Sequence, residues 1–278
     1  YLESKSYPLV MGKAFFKIHY CAFLFLISLS TTAQVLSIDR EIQSDSIKNK
    51  WLHSVDFSLS SDKLKKNLLD VNSRIETTRF FTNDYVLVGS VNNELTLNGN
   101  DVLQNEGYVQ LRYRDNDKRQ WSDESYVQYK WNDALGMEFR QVLGSNLRIR
   151  IFDRKAIDLY SGIGVFYEKE RWNWSGVDDL VLAANPNILN RDLYRLNHYW
   201  KFACALNDNL DISAVSYFQF PLNGDFTNLR WYWDLKTNLK ISKKTSFVIH
   251  YDHTYDNYRL VPIAKYYYSI DFGVQVKW

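Results

Sequence analysis

The sequence predicts an all-β protein, a transmembrane antiparallel up-and-down β-barrel of about 12 strands, and three observations lead there. From Tyr266 to Trp278 every second residue is apolar or aromatic: Tyr266, Tyr268, Ile270, Phe272, Val274, Val276 and Trp278. Tyr267, Ser269, Asp271, Gly273, Gln275 and Lys277 lie between them. A strict period of two is a β-strand with one greasy face and one polar face. Aromatics make up 16% of the chain, with 20 Tyr and 9 Trp, yet no apolar run is long enough for a membrane helix. Such enrichment fits the interface girdles of a membrane barrel; an aromatic-rich secreted sugar-binding sandwich is the competing reading. The period-two segments are also long. Many exceed the roughly five or six residues usual for globular strands and reach the roughly nine to eleven that a tilted strand needs to cross a bilayer.

The chain reads in order as follows. Residues 1–10 lie upstream of Met11 and read as a spurious extension of the true start. Residues 11–34 have a basic opening (Lys13, Lys17), the apolar run Cys21–Leu29 and small residues before Gln34. That is the build of a secretory signal peptide, cleaved near Ala33/Gln34, and the run is too short for a stable membrane anchor. Cys21 precedes the apolar run and so is badly placed for a lipoprotein cleavage site. Residues 35–50, with Asp39, Glu41, Asp45 and Lys48, form a polar periplasmic lead. From 51 to 278 the chain divides into segments near 53–60, 67–80, 84–96, 104–114, 121–132, 136–152, 156–170, 190–206, 209–219, 226–241, 245–257 and 264–278. In 226–241, Leu229, Trp231, Trp233 and Leu235 oppose Arg230, Asp234, Lys236 and Asn238, so the first set is expected to face lipid.

Connection lengths agree with this count. An even number of strands places both termini in the periplasm. The inner turns are then Phe81–Asn83, Asp115–Gln120, Asp153–Lys155, Asn207–Asp208 and Ser242–Lys244, all short, while Arg171–Ile188 faces outside and is the longest. The final strand carries Asp271, Gly273, Val276 and Trp278 as polar-x-Gly-x-x-apolar-x-aromatic. That spacing resembles the terminal signal read by the barrel-assembly machinery, the expected partner along with outer-membrane lipid.

The order and spacing of several motifs carry a wider resemblance. They are Lys118-Arg119 leading into an aromatic strand, Gly162-x-Gly164 followed by Tyr167-Glu168, Asn207-Asp208-Asn209, Asn228-Leu-Arg230 and Tyr266 to Trp278. Gly144, with Gly136 just before it, stands where the family has a glycine run. Over residues 50–278 the chain is similar to the salt-induced outer-membrane protein family. The resemblance implies a twelve-stranded barrel in the outer membrane of a Gram-negative bacterium and supplies no activity.

The residues offer little chemistry beyond this. The net charge of +2 calls for no nucleic acid or strongly charged partner, and no other protein partner can be inferred. Only Cys204 follows the leader, so neither an internal disulfide nor a cysteine metal site is expected. None of the five histidines sits in the His-x-Ser-Asn-Gly stretch of an outer-membrane phospholipase, and no candidate nucleophile–base pair is found; an enzyme is not expected. His250, Asp252 and Asp256 share one strand face, with His253 on the other. They could hold a divalent ion only if a neighbouring strand added a ligand; a solvated, ion-paired wall is the plainer reading, and no cofactor or metal is assigned. Gly162-x-Gly164 precedes no helix, so it reads as room for lumen side chains instead of a phosphate loop. Trp172 and Trp174 read as interface aromatics, with sugar stacking the alternative.

The expected lumen has paired charges. Matched parity across the 153–155 turn sets Arg150 opposite Asp158 and Arg140 opposite Glu168, with Tyr160, Phe166, Tyr199, Tyr217, Tyr232 and Tyr267 pointing inward. Eight strands leave an interior just filled by side chains and sixteen an open channel; twelve lie between. The expectation is a narrow channel or envelope-structure protein with a constricted lumen, with a link to salt or osmotic response implied by the resemblance. Recognition by the outer loops is the alternative.

Overall fold

A computed structural model describes residues 50–63, 67–81, 85–115, 120–154, 156–177 and 187–278. The expected extension, signal peptide and most of the periplasmic lead (1–49) lie outside the described residues. The strands are β1 (Trp51–Lys63), β2 (Asn67–Phe80), β3 (Tyr85–Asn98), β4 (Asp101–Asp115), β5 (Trp121–Asn132) and β6 (Met137–Arg154). They continue as β7 (Ile157–Trp172), β8 (Leu189–Asn207), β9 (Leu210–Pro221), β10 (Arg230–Lys240), β11 (Thr245–Asp256) and β12 (Tyr266–Lys277). Each pairs antiparallel with its chain neighbours, and β1 meets β12 to close the barrel.

Polarity is inverted relative to a water-soluble fold. Leu143 (61% exposed), Val165 (48%) and Phe272 (60%) point outward, whereas Glu168, Arg195 and Asn197 are wholly buried inside. Exposing aliphatic side chains around the wall while burying charge is stable only where the surroundings are hydrocarbon, and a closed ladder is the β structure that satisfies its backbone there. Aromatics mark the two boundaries of that band. Trp51, Tyr113, Trp121, Phe152 and Trp278 are exposed at the mouth holding the strand termini of β1 and β12. Tyr129, Tyr194, Trp233 and Tyr266 are exposed toward the other mouth. The fold is a transmembrane barrel.

The connections separate in the same way. At the terminal mouth β10 and β11 are joined through 241–244 and β8 and β9 through 208–209. At the opposite, loop mouth lie 173–188, 222–229 and 257–265, the three longest connections between strands. The expected strand at 226–241 begins later, at Arg230, so Leu229 precedes β10, while Trp233 and Leu235 face outward as expected. The turn expected at 153–155 is also displaced: β6 runs on to Arg154 and β7 starts at Ile157.

Candidate functional site: the barrel lumen

Alternation sets the inner wall. In β8 the residues Arg195, Asn197, Tyr199, Lys201 and Ala203 all turn inward and are almost fully buried. The expected inward aromatics Tyr160, Phe166, Tyr199, Tyr217, Tyr232 and Tyr267 are likewise buried. Tyr126, Val142, Phe166, Tyr199, Val215, Tyr217 and Tyr232 pack together as an apolar cluster within the barrel. Two glycines make this packing possible. A Cβ on Gly144 would stand 2.6 Å from both the Phe166 Cβ and the Tyr126 ring, and one on Gly162 would run into the Tyr199 ring. Glycine here leaves space for a flat ring against the wall.

Toward the loop mouth a charge network crosses the lumen. Glu168 accepts from Arg140 Nε, from Arg195 Nε at 2.9 Å and from Arg230 Nη1 at 2.6 Å. Glu170 accepts from Arg230 Nη2 at 2.9 Å and from Arg191 Nη2 at 2.5 Å, and Arg230 Nε reaches Asp256 at 2.9 Å. Arg230 stands on β10 and its carboxylate partners on β7 and β11, so its guanidinium bridges strands that are not neighbours. Deeper in, an amide chain runs from Gln219 to Asn197 (3.4 Å), Asn146 (3.0 Å) and Glu124 (3.0 Å), where Arg112 also binds at 3.3 Å. On the opposite side Lys236 Nζ reaches Asp56 at 2.9 Å. These long side chains fill the width that twelve strands enclose.

An apolar cluster covers the loop mouth. Met137, Trp172 and Val261 are buried there, with Leu135, Trp174, Val177, Leu189, Leu260 and Ile263 packed on them. Trp172 therefore belongs to this cap and not to the lipid interface, because it shares the inward parity of Glu168 and Glu170 on β7. Trp174 donates to Asn187 O at 2.7 Å, tying the two described ends of the 173–188 connection. Arg259, in the last loop, donates to Tyr267 Oη at 2.5 Å. Burial lowers its basicity, opposed by Tyr267 and Asp256, and an arginine stays charged regardless.

The expected lumen pairs are placed as follows. Arg140 stands directly opposite Glu170, and it meets Glu168 on the diagonal. Arg150 stands opposite Tyr160, and Asp158 opposite Asp153, instead of opposite each other. Two causes combine: β6 and β7 close on a tighter turn, and the ladder shifts by a bulge between Arg150 and Phe152. Arg150 and Asp158 remain diagonal neighbours on the lumen side. Of the terminal residues, Val276 and Trp278 are exposed outward, whereas Asp271 and Gly273 lie on the inner parity opposite His250 and Val248. Trp278 exchanges backbone hydrogen bonds of 3.1 Å with His53 of β1.

Two groupings escaped linear reading because they form only across a ladder. Ser161 Oγ lies 3.1 Å from His198 Nε2, two residues 37 positions apart in the sequence. Among the described residues no carboxylate meets the other ring nitrogen of His198, which packs on Trp200 and Phe218. The face of His250, Asp252 and Asp256 also divides. Asp256 binds Arg230, while Asp271 of β12 comes opposite His250 and joins it and Asp252.

The family described as a protein of unknown function, DUF481, matches residues 55–261. No curated protein matches the chain. Among solved structures, the NanC porin is 12% identical, with a TM-score of 0.46, over 81% of this chain and 98% of that one. The translocator domain of the autotransporter NalP from Neisseria meningitidis is 12% identical, with a TM-score of 0.43, over 82% and 87%. The KdgM porin is 11% identical, with a TM-score of 0.42, over 82% and 98%.

Proposed function

The chain belongs to the DUF481 family, and from that premise and the lumen just described we propose a non-enzymatic outer-membrane barrel that passes small ions at most. One observation carries the reading. Residues on the inner wall from several strands, among them Asn92, Glu168, Arg195, Asn197, Tyr199 and Asp252, point into the lumen and are nevertheless fully buried, by other side chains that fill it. A bore wide enough for hydrated solutes would leave such polar side chains wet. The crossing arginines and the apolar cap support the same conclusion, since passage requires side chains to move.

Residues 11–34 export the chain, and 35–50 are a periplasmic lead. The barrel-assembly machinery reads Asp271, Gly273, Val276 and Trp278. A role in salt or osmotic response is proposed on the motif resemblance to the salt-induced family alone. A structural role in the envelope is the second reading, supported by the cross-lumen ion pairs that brace the wall. Planar-bilayer recording of the purified barrel separates them. Small, cation- or anion-selective steps are expected for a narrow path, and silence for a purely structural barrel. Conductance on the scale of a general porin would refute both.

A further inference from the structure

We propose that His250, Asp252 and Asp271 form a binding site for a first-row divalent cation, of the zinc or manganese kind, on the lumen wall. The register assembles it. His250 lies opposite Asp271 and Asp252 opposite Ser269 in the β11–β12 ladder, all on the inner parity. One ligating atom from each of the three residues falls within a 4.8 Å group.

The surroundings prepare these atoms for a cation. Asp234 Oδ2 lies 3.1 Å from His250 Nε2 and also accepts from Tyr232 Oη at 3.3 Å. A carboxylate on one ring nitrogen fixes the tautomer and frees the other nitrogen as a ligand, the usual arrangement behind a metal-bound histidine. The freed Nδ1 faces Asp271 Oδ2 at 3.8 Å. That is too long for a hydrogen bond and within what two metal bonds of about 2.1 Å can bridge. Independently, Asp252 Oδ1 is buried without a hydrogen-bond partner, while its Oδ2 accepts from Ser269 Oγ. A bare buried carboxylate oxygen is costly, and a cation removes that cost.

Imidazole with two carboxylates suits zinc or manganese, and the lack of thiolate makes softer ions poor occupants. Three protein ligands leave a coordination position for water. A cavity lined by His250, Asp271, Asp56, Asn72, Arg74 and Lys236 supplies access. Lys236 is held by Asp56 at 2.9 Å, which draws its charge from the ligands. The site joins β11 to β12 beside the junction with β1, and it does not depend on whether the lumen conducts.

The competing arrangement is a protonated His250 bridging Asp234 and Asp271 with no metal. Calorimetric titration of the refolded full-length barrel with Zn²⁺ alone, and with Mn²⁺ alone, tests between them. One ion per barrel is expected, with affinity falling at least tenfold in Asp252→Asn and in His250→Gln and unchanged in the outward-facing His253→Gln. Should the lumen variants fail to fold, X-ray absorption of the zinc-loaded native barrel decides. One imidazole nitrogen with oxygen ligands is expected. Failure of both ions to bind the native barrel, binding insensitive to Asp252→Asn, or a spectrum without imidazole would each overturn the proposal.

Discussion

Glu168 shows how single residues govern this barrel. It is wholly buried and faces the guanidiniums of Arg140, Arg195 and Arg230 at once. A buried ion pair adds little over a well-packed apolar pair, but removing one partner leaves charge stranded at a cost of about 3–5 kcal/mol. Glu168→Gln is therefore expected to destabilise the folded barrel by that order, read from urea unfolding in lipid vesicles. Arg171→Ala removes an ion pair of similar length, 2.8 Å to Glu138, whose members are 41% and 32% exposed. Solvent screening limits its effect to within about 1 kcal/mol. Equal losses at both positions would contradict the burial of the network.

At the scale of the strand, the parity of β10 makes a directional prediction. Leu235, at its middle, is exposed outward, and Asn238 lies on the inner parity. Leu235→Arg places a charge in hydrocarbon and is expected to cost about 2–4 kcal/mol, while Asn238→Arg is tolerated; vesicle refolding yields and unfolding midpoints measure both. Parity of this kind was legible in the sequence, because period two survives any error at a strand end. The β2 and β5 boundaries follow directly from their turn residues. Register was less legible. A bulge such as the one between Arg150 and Phe152 leaves no compositional mark, and together with the displaced turn it sets Arg150 opposite Tyr160 instead of Asp158. The link from Arg230 to Glu168 joins residues 62 positions apart. Asp271 joins His250 only through a neighbouring strand. Alternation reports which face a side chain takes, not which partner it meets.

The whole ring depends on where its two ends meet. Trp278 supplies two backbone hydrogen bonds to His53 and an exposed ring beside it. Deleting Trp278 is expected to abolish the compact, heat-modifiable form on gels and leave the chain out of the membrane fraction. A truncated chain that still migrates as a folded barrel would refute this. β1 matches β2 along its full length, from Trp51 opposite Arg79 to Lys63 opposite Asn67, but among the described residues its register with β12 covers only His53–Phe57 against Val274–Trp278. A hoop yields at its buckle. Any increase in circumference breaks the fewest rungs there and leaves the other joints shut. The diameter of this barrel is thus controlled along a single meridian, next to the strand that carries Asp271.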